Sequence, residues 1–218
     1  MDLSKETVFV HAANLKWRVY RPFPKESSLK VAVVFFHGAS FSIYDWIRMG
    51  TLKLVGESGF QVVAVDLPRG RASKTDKLEL KQTSYYNPLL EEVLVKAGIP
   101  KEKKIVIIGP SMGGGLAMSF ALGNPEKVAG LVLIAPSLRD ISEDMIRSLK
   151  PNIQVLLVWG DRDDVFPLDD YAKPLQKLLP HAKLLTLKGA RHPAYLDKPE
   201  EFHKSLLEFL MENESTRK

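Results

Sequence analysis

Cysteine is missing from this sequence of 218 residues. Its absence excludes a disulfide framework, a thiolate zinc site and a cysteine nucleophile, and it favours a cytoplasmic location. Long apolar runs are missing too, since none approaches the ~18 residues that a membrane-spanning helix needs. Residues 1–17 are also too polar for a secretory signal peptide. We therefore expect a cytoplasmic protein that does not associate with membranes.

Runs of like charge are scarce as well. The net charge is +5 and the pI is about 9.2, but lysine and glutamate alternate, as in KEKK at residues 101–104. Such interleaving is typical of a solvated surface and argues against a nucleic-acid partner. The 45% of hydrophobic and 26% of charged residues are ordinary for a globular protein. We expect a single domain over residues 1–218, with no metal and no cofactor. The oligomeric state stays open.

From residue 31 onward, the chain alternates apolar strands with amphipathic helices. Predicted strands cover residues 31–36, 61–66, 104–109, 130–135, 154–160 and 183–188, and predicted helices cover 45–57, 83–97, 111–122, 142–149, 168–178 and 199–211. Two earlier strands, 7–11 and 15–20, are joined by a turn at Ala13 and Asn14. The later strands are continuous apolar runs, as in strands covered on both faces. This pattern predicts an α/β fold with a mostly parallel sheet, whose ligands bind at the carboxyl ends of the strands.

A glycine-rich turn follows the predicted strand 104–109. The residues GPSMG at 109–113 match G-x-S-x-G between a strand and a helix, the context in which that pattern holds a nucleophilic serine. Ser111 must stand on a sharp, strained turn, where side chains at Gly109 and Gly113 would collide. An ordinary helix N-cap serine is the less favoured alternative. A phosphate-binding loop is disfavoured because the Gly-Lys-Ser/Thr ending is absent. We predict that Ser111 is a nucleophile.

A serine hydroxyl needs a base to remove its proton, and the base needs a carboxylate behind it. Among the five histidines, His192 follows the last predicted strand at the same sheet edge as Ser111, and it is the predicted base. A histidine with a structural hydrogen bond is the less favoured alternative. The strand 154–160 ends in DRDD at 161–164. We favour Asp163 as the acid because the chain there turns back over the sheet edge. Asp161 would then brace the turn, and Asp164 would face solvent.

Two backbone N–H groups are expected to bind the oxyanion of the tetrahedral intermediate, and the loss of one such donor typically costs ~3–4 kcal/mol. Met112, directly after the serine, supplies one. The other should come from the loop after strand 31–36, where we choose Ala39. His37 is expected to brace this loop rather than to act on substrate. A plain glycine turn at Gly38 is the alternative.

These motifs give the chain from residue 31 onward a clear resemblance to the α/β-hydrolase superfamily. It is carried by HGASFSIYDW at 37–46, VAVDLP at 63–68, GPSMGG at 109–114, VWGDRD at 158–163 and GARHPAYLDKPEEFHKSLLEFL at 189–210. Pro110 and the HPAYLDKPEE stretch are similar to the small lidless branch of abhydrolase-domain proteins called interacting factor B. The resemblance implies a triad of Ser111, Asp163 and His192, and an eight-stranded sheet whose second strand is antiparallel. It also implies esterase activity on small activated esters, or lysine deacetylation with transfer of acetyl to coenzyme A.

The chain departs from the superfamily after VAVDLP, where G-x-G-x-S is usual and Arg69-Gly70-Arg71-Ala72-Ser73 stands instead. Arg69 and Arg71 are candidates for binding an anionic substrate group, since guanidinium suits carboxylate and phosphate. Ion pairs on the surface, or plain solvent exposure, are the favoured alternative. Phe41 and Tyr44, after the first parallel strand, are further candidate substrate contacts.

The segment in which many α/β hydrolases carry a cap domain is short here. Residues 136–152 number 17, enough for a turn and one short helix. We therefore expect an open, shallow pocket and a serine hydrolase of the carboxylesterase type, which cleaves small-molecule esters of short acyl groups through an acyl-enzyme. Two alternatives stay open. One is an acyltransferase or deacetylase that passes the acyl group to coenzyme A or another acceptor. The other is a catalytically idle interaction module, which would have no need of the three triad residues.

Overall fold

One sheet of eight strands forms the centre of the computed structural model, which describes residues 7–12, 14–21, 27–68, 70–76 and 82–216. The strands are β1 Thr7–Ala12, β2 Leu15–Tyr20, β3 Val31–Phe35, β4 Gln61–Val65, β5 Lys104–Pro110, β6 Val128–Ile134, β7 Gln154–Gly160 and β8 Lys183–Leu187. Their order across the sheet is β1-β2-β4-β3-β5-β6-β7-β8. β1 and β2 are antiparallel, β2 pairs antiparallel with β4, and the remaining pairs are parallel. The predicted α/β fold and its antiparallel second strand are confirmed.

The strand order reverses next to β3. β4 lies on one side of β3 and β5 on the other, so the loops that leave the carboxyl ends of β3 and β5 diverge. Such a switch point opens a crevice at the sheet edge, where ligands bind in folds of this type. The loop after β3 and the turn after β5, which hold the predicted oxyanion donors and Ser111, lie at this crevice.

Helices cover both faces of the sheet. They are α1 Ile43–Arg48, α2 Thr51–Glu57, α3 Asn87–Lys96, α4 Met112–Gly123, α5 Glu143–Arg147, α6 Leu168–Leu178, α7 Ala194–Asp197 and α8 Pro199–Ser215. The helices α1, α2, α7 and α8 share one apolar core, with Trp46 and Phe202 fully buried in it. The other four share a second core around Trp17, Phe120 and Leu157. Because both faces are covered, the sheet meets solvent mainly at its ends and edges.

Several helix boundaries differ from the predicted ones for local reasons. The predicted helix 45–57 is two helices, because Gly50 takes a left-handed backbone with φ of 74° between α1 and α2. The predicted helix 83–97 begins with a 3-10 turn, Thr83–Tyr86, and α3 follows with a proline in its first turn. The short α7 lies where no helix is predicted, since four residues carry no periodic signal. The predicted hairpin turn consists of Ala13 and Asn14. Asn14 has a left-handed backbone with φ of 63°, and Ala13 lies outside the described residues.

The connection between β6 and β7 carries no cap domain. Residues 136–152 contain only α5. Across the described ranges, no helix has the length and apolar character needed to cross a membrane.

Candidate active site

The turn between β5 and α4 holds Ser111 in a strained backbone conformation. Its φ of 48° and ψ of −115° lie where residues with a side chain are rare, at a typical cost of ~1–3 kcal/mol. The Ser111 N–H donates to the Ile134 carbonyl at 2.8 Å, and the Ser111 carbonyl accepts the N–H of Ser137 at 2.9 Å. The Ser111 side chain makes no capping hydrogen bond to the described first turn of α4. Ser111 thus occupies the N-cap position of α4 on a sharp turn, but its side chain does not serve as the cap.

The glycines around Ser111 have no room for a side chain. A Cβ added to Gly109 would lie 2.5 Å from the Gly113 carbonyl oxygen, as the predicted collision requires. A Cβ added to Gly113 would instead lie 2.8 Å from the carbonyl oxygen of His37, because the end of β3 passes over α4. The loop after β3 therefore lies directly against the Ser111 turn.

Asp163 and His192 meet beyond the ends of β7 and β8. The Asp163 Oδ2 lies 2.8 Å from the His192 Nδ1, and the Asp163 side chain is buried. The other oxygen, Oδ1, accepts the N–H groups of Val165 at 2.9 Å and Phe166 at 2.8 Å. The Phe166 ring packs edge-on against the His192 ring, with centroids 5.2 Å apart. The orientation of the carboxylate and of the imidazole is therefore set from several sides.

The residues next to Asp163 in sequence allow Asp163 and His192 to come into contact. The Asp161 Oδ1 accepts the Gly189 N–H at 2.5 Å, so Asp161 braces the turn before His192, and Asp164 is exposed. A Cβ added to Gly160 would lie 2.2 Å from the Ala190 carbonyl oxygen. Only glycine at this position lets the loop that carries His192 lie on the end of β7.

Ser111 and His192 lie on the same edge of the sheet. Hydrogen bonds at the strand ends connect the two segments. The Ser111 N–H donates to β6, the Ala135 N–H after β6 donates to β7, and the Asp161 N–H after β7 donates to β8. In the described part of the chain, no hydrogen bond joins the Ser111 hydroxyl to His192. Catalytic hydrogen bonds of unliganded sites are often long and tighten only when substrate binds.

The loop after β3 fixes the direction of the Ala39 N–H. The Gly38 carbonyl accepts the Phe41 N–H at 3.1 Å and the His37 Nδ1–H at 2.8 Å. The Gly38 carbonyl and the Ala39 N–H belong to the same trans peptide and point in opposite directions. The Ala39 N–H therefore points away from the two groups that donate to the Gly38 carbonyl. Met112 is the first residue of α4, so its N–H precedes the intrahelical hydrogen bonds. The roles of Ala39 and Met112 as oxyanion donors stay predictions.

His37 is held in one neutral tautomer. Its Nε2 accepts the Leu67 N–H at 2.8 Å, while its Nδ1 donates to Gly38. Both contacts together require a single proton, on Nδ1. Complete burial lowers the pKa of His37, and this outweighs the opposite influence of the Asp66 carboxylate, whose Oδ1 is 3.5 Å from Nε2. A Cβ on Gly70 would lie 2.2 Å from the ring, so Gly70 closes the site around it.

Asp66 connects this loop to the N-terminal hairpin. It is fully buried, and its Oδ2 accepts the Arg18 Nε–H at 2.6 Å and the Lys74 N–H at 2.9 Å. Its Oδ1 accepts the Ile43 N–H at 3.0 Å. Paired and hydrogen-bonded in this way, a buried carboxylate is tolerated. The side of the crevice that holds Ala39 is thus built on a polar network.

A cavity of about 270 Å³ lies on the other side of the crevice. It is lined by Leu138 and Arg139 after β6, Trp159 and Phe166 around the end of β7, and Tyr171 and Leu175 of α6. Its lining residues Pro136 and Leu138 flank Ser137, whose N–H contacts the Ser111 carbonyl, and its lining residue Phe166 packs on His192. α6 and the loop after β6 form its walls. Its volume is still just under the ~300–1,000 Å³ of sites for drug-sized ligands.

The other predicted substrate contacts do not line this cavity. The Phe41 ring is 6.4 Å from that of Tyr195, so it bridges the loop after β3 and the segment that follows His192. The Tyr44 ring stacks 4.5 Å from the Arg18 guanidinium and faces a groove beside the N-terminal hairpin. The Arg71 side chain is exposed, and its backbone N–H donates to the Ala39 carbonyl at 2.7 Å. Arg69 lies outside the described residues.

Sequence reasoning missed the cavity residues. Phe166 stands three positions after Asp163 in a loop at a strand end, and this spacing could have marked it as a neighbour of the acid. Arg139 and Tyr171 carry no such signal, because they meet only in the folded chain. Within the described ranges, no group of three or more His, Cys, Asp or Glu side chains could hold a metal ion.

The family model described as alpha/beta hydrolase fold matches residues 31–150. This chain belongs to the α/β-hydrolase family. Among its relatives, ABHD14B of Rattus norvegicus is 32% identical over 219 residues, which cover 97% of this chain and 98% of that protein. In its name, ABHD14B is proposed to be a protein-lysine deacylase. ABHD14A of Mus musculus is 33% identical over 190 residues, which cover 86% of this chain and 73% of that protein.

Solved structures share the fold over most of the chain. The predicted CIB-like hydrolase from Thermoplasma acidophilum superposes with a TM-score of 0.83 at 25% identity, over 94% of this chain and 96% of that one. The carboxylesterase CesB from Bacillus subtilis has a TM-score of 0.80 at 18% identity, over 94% of this chain and 91% of that one. The second likeness concerns the fold alone.

Proposed function

We propose that this protein is a serine carboxylesterase that cleaves small esters of short acyl groups through an acyl-enzyme on Ser111. The observation that carries the proposal is the 2.8 Å contact between Asp163 and His192, at the same sheet edge as the strained Ser111 turn. A strained turn and an oriented imidazole are two features of an activated serine, and both support the proposal. A module that only binds partners has no use for this combination.

In the proposed first half-reaction, the Ser111 Oγ attacks the ester carbonyl carbon while the His192 Nε2 takes the hydroxyl proton. Asp163 accepts the Nδ1–H and stabilises the imidazolium that forms. The carbonyl oxygen becomes an oxyanion, which the Ala39 and Met112 N–H groups would bind. The intermediate then expels the alcohol, which takes the proton from Nε2, and the acyl group stays on Ser111.

In the second half-reaction, water attacks the acyl carbon and gives its proton to the His192 Nε2. The tetrahedral intermediate collapses, the Ser111 Oγ leaves and takes that proton back, and the carboxylic acid is released. The apolar cavity next to Ser111 is the proposed place for the acyl chain. Its volume of about 270 Å³ supports short chains.

The proposal is tested by labelling with a fluorophosphonate, which reacts with activated serines. We expect one adduct, mapped by mass spectrometry to Ser111, and a loss of roughly 10⁶-fold in kcat for Ser111→Ala, as when triad members act as a unit. Ser148→Ala, at an exposed serine after α5, is the matched control and should label like the wild type. Labelling at another serine, or p-nitrophenyl acetate hydrolysis that survives Ser111→Ala, would contradict the proposal.

A second candidate keeps the same acyl-enzyme but changes the donor or the acceptor. It is favoured by ABHD14B, which is similar over nearly the whole chain and is named for deacylation of protein lysines. Acyl-lysine peptides as substrates, with coenzyme A present or absent, separate the two candidates. Formation of acyl-coenzyme A at the expense of free acid would favour transfer, whereas free acid alone would favour hydrolysis.

A further inference from the structure

The cavity beside Ser111 contains one cation that the proposed mechanism does not use. Arg139 is the charged member of a lining that is otherwise apolar or aromatic. Its side chain forms no ion pair with any carboxylate of the described residues. Four other arginines do form such pairs: Arg18, Arg48, Arg147 and Arg191. Arg21, Arg71 and Arg162 also form no ion pair with a described carboxylate, so Arg139 is distinguished by its place in the lining of this cavity.

The groups around Arg139 leave its guanidinium available to a ligand. On α6, Asp169 pairs with Lys173 at 2.6 Å, so this acid is already engaged. The Trp159 indole N–H donates to the Phe166 carbonyl at 2.7 Å, so this donor is used within the protein. Among the lining groups, the guanidinium is the one with several free N–H donors in a planar fork, a geometry that matches a carboxylate.

The position of Arg139 relative to Ser111 suggests which part of a substrate it would meet. Arg139 stands two residues after Ser137, whose N–H contacts the Ser111 carbonyl, so it is at most ~7 Å along the chain from that contact. The other lining side chains are apolar or aromatic and would contact the methylenes of an acyl group on Ser111 that enters the cavity. At ~30 Å³ for each group of water size, the cavity holds about nine such groups, enough for a chain of some six carbons with a polar end.

We propose that Arg139 binds a carboxylate at the far end of the acyl group, so that the preferred substrates are monoesters or monoamides of short dicarboxylic acids of about six carbons. The inference rests on the proposed function, because it requires an acyl group on Ser111. The apolar walls would hold the methylenes, and Arg139 would select the charged end. Because Arg139 is also exposed to solvent, we expect a preference of about tenfold, below that of a fully shielded pair.

The test compares two umbelliferyl esters of equal size. One carries an adipoyl group, which ends in a carboxylate, and the other an iso-octanoyl group, in which two methyl groups replace the carboxylate oxygens. The wild type should show kcat/KM about tenfold higher for the adipoyl ester. The ratio should fall to about one in Arg139→Gln and to an intermediate value in Arg139→Lys, which keeps the charge but loses the fork. Arg147→Gln, at an exposed arginine of α5, is the matched control and should keep the wild-type ratio.

Inhibition gives a second readout that needs no turnover of the charged ester. Adipate should inhibit hydrolysis of the iso-octanoyl ester more strongly than hexanoate does in the wild type, and this difference should vanish in Arg139→Gln. A wild-type ratio at or below one, or a preference that survives Arg139→Gln, would overturn the inference and leave the proposed esterase intact. Hydrolysis of neither ester, with no fluorophosphonate adduct on Ser111, would overturn both.

Discussion

Replacing Asp163 with asparagine should leave the fold intact and remove most of the activity. The two carboxylate oxygens have different partners: Oδ1 accepts two backbone N–H groups, from Val165 and Phe166, and Oδ2 faces the His192 Nδ1. In Asp163→Asn the amide oxygen must stay at the Oδ1 position, because two donors point at it. The amide NH₂ must then face His192.

This orientation forces His192 into the wrong tautomer. An NH₂ group can only donate, so the Nδ1 has to accept and the ring proton moves to Nε2. With a proton already on Nε2, the imidazole cannot take the proton of Ser111. A triad histidine held in this tautomer loses about 10⁴-fold in kcat, equal to ~5.4 kcal/mol at 1.36 kcal/mol per tenfold change.

The assay is p-nitrophenyl acetate hydrolysis at pH 7, with ¹⁵N shifts of the His192 ring to report the tautomer. Asp161→Asn and Asp164→Asn are the matched controls. In Asp161→Asn the amide oxygen can still accept the Gly189 N–H, and the side chain of Asp164 is exposed to solvent. Both should stay within about twofold of the wild type, as expected for changes worth under ~0.5 kcal/mol. A loss near 10⁴-fold in Asp161→Asn, or an active Asp163→Asn, would refute the assignment of the acid.

The remaining predictions concern the cavity and the buried histidines. Along a series of p-nitrophenyl esters, kcat/KM should rise from acetyl to about hexanoyl, by at most about fourfold for each buried methylene at ~0.8 kcal/mol, and then fall toward palmitoyl. Leu138→Trp, which fills part of the cavity, should shift the optimum toward acetyl, and an optimum at palmitoyl in either protein would show that the cavity is not the acyl site. The free energy of unfolding, measured with urea, should decrease as pH falls below ~6.5, by up to ~1.4 kcal/mol per pH unit for the fully buried His37 and by less for the half-buried His203. The sign follows because burial lowers the folded-state pKa of both His37 and His203, so the unfolded chain takes up the protons first. In His203→Gln, the free energy of unfolding should depend less on pH. NMR should show the His37 proton on Nδ1 throughout this pH range. A free energy of unfolding that is flat from pH 7.5 to 5.5 would contradict the lowered pKa of these histidines.

The sequence was sufficient for the fold and for the places of the site residues at strand ends. The continuous apolar runs that mark β3, β5 and β7 are strong signals, β8 is a shorter and more polar one, and the residues that follow these strands meet at one sheet edge in a parallel sheet. The choice of Asp163 over Asp161 rested on the direction of the chain after β7. The structure shows that direction in the contact of Gly160 with the loop that carries His192.

The parts beyond prediction depend on contacts between distant segments. The cavity forms where the loop after β6 contacts α6. The lining residues of the loop and those of the helix are more than thirty positions apart in sequence, and neither segment has a pattern that predicts this contact. The tautomer of His37 depends on Leu67, which belongs to another loop. The division between α1 and α2 depends on the single backbone angle of Gly50. Periodicity and motif spacing carry no information on any of these features.

The two sides of the crevice differ in how they can change over evolution. The side that would stabilise the developing charge depends on Asp66, which joins four segments through buried hydrogen bonds, so most substitutions there should impair folding. The acyl side is lined by side chains from the loops after β6 and β7, the end of β7 and α6, in contacts that tolerate changes of size. New acyl preferences can therefore arise by substitutions at Leu138, Arg139 or Tyr171 while the chemistry is retained. In such a lineage, members would keep the loop after β3 and diverge in the residues that line the cavity.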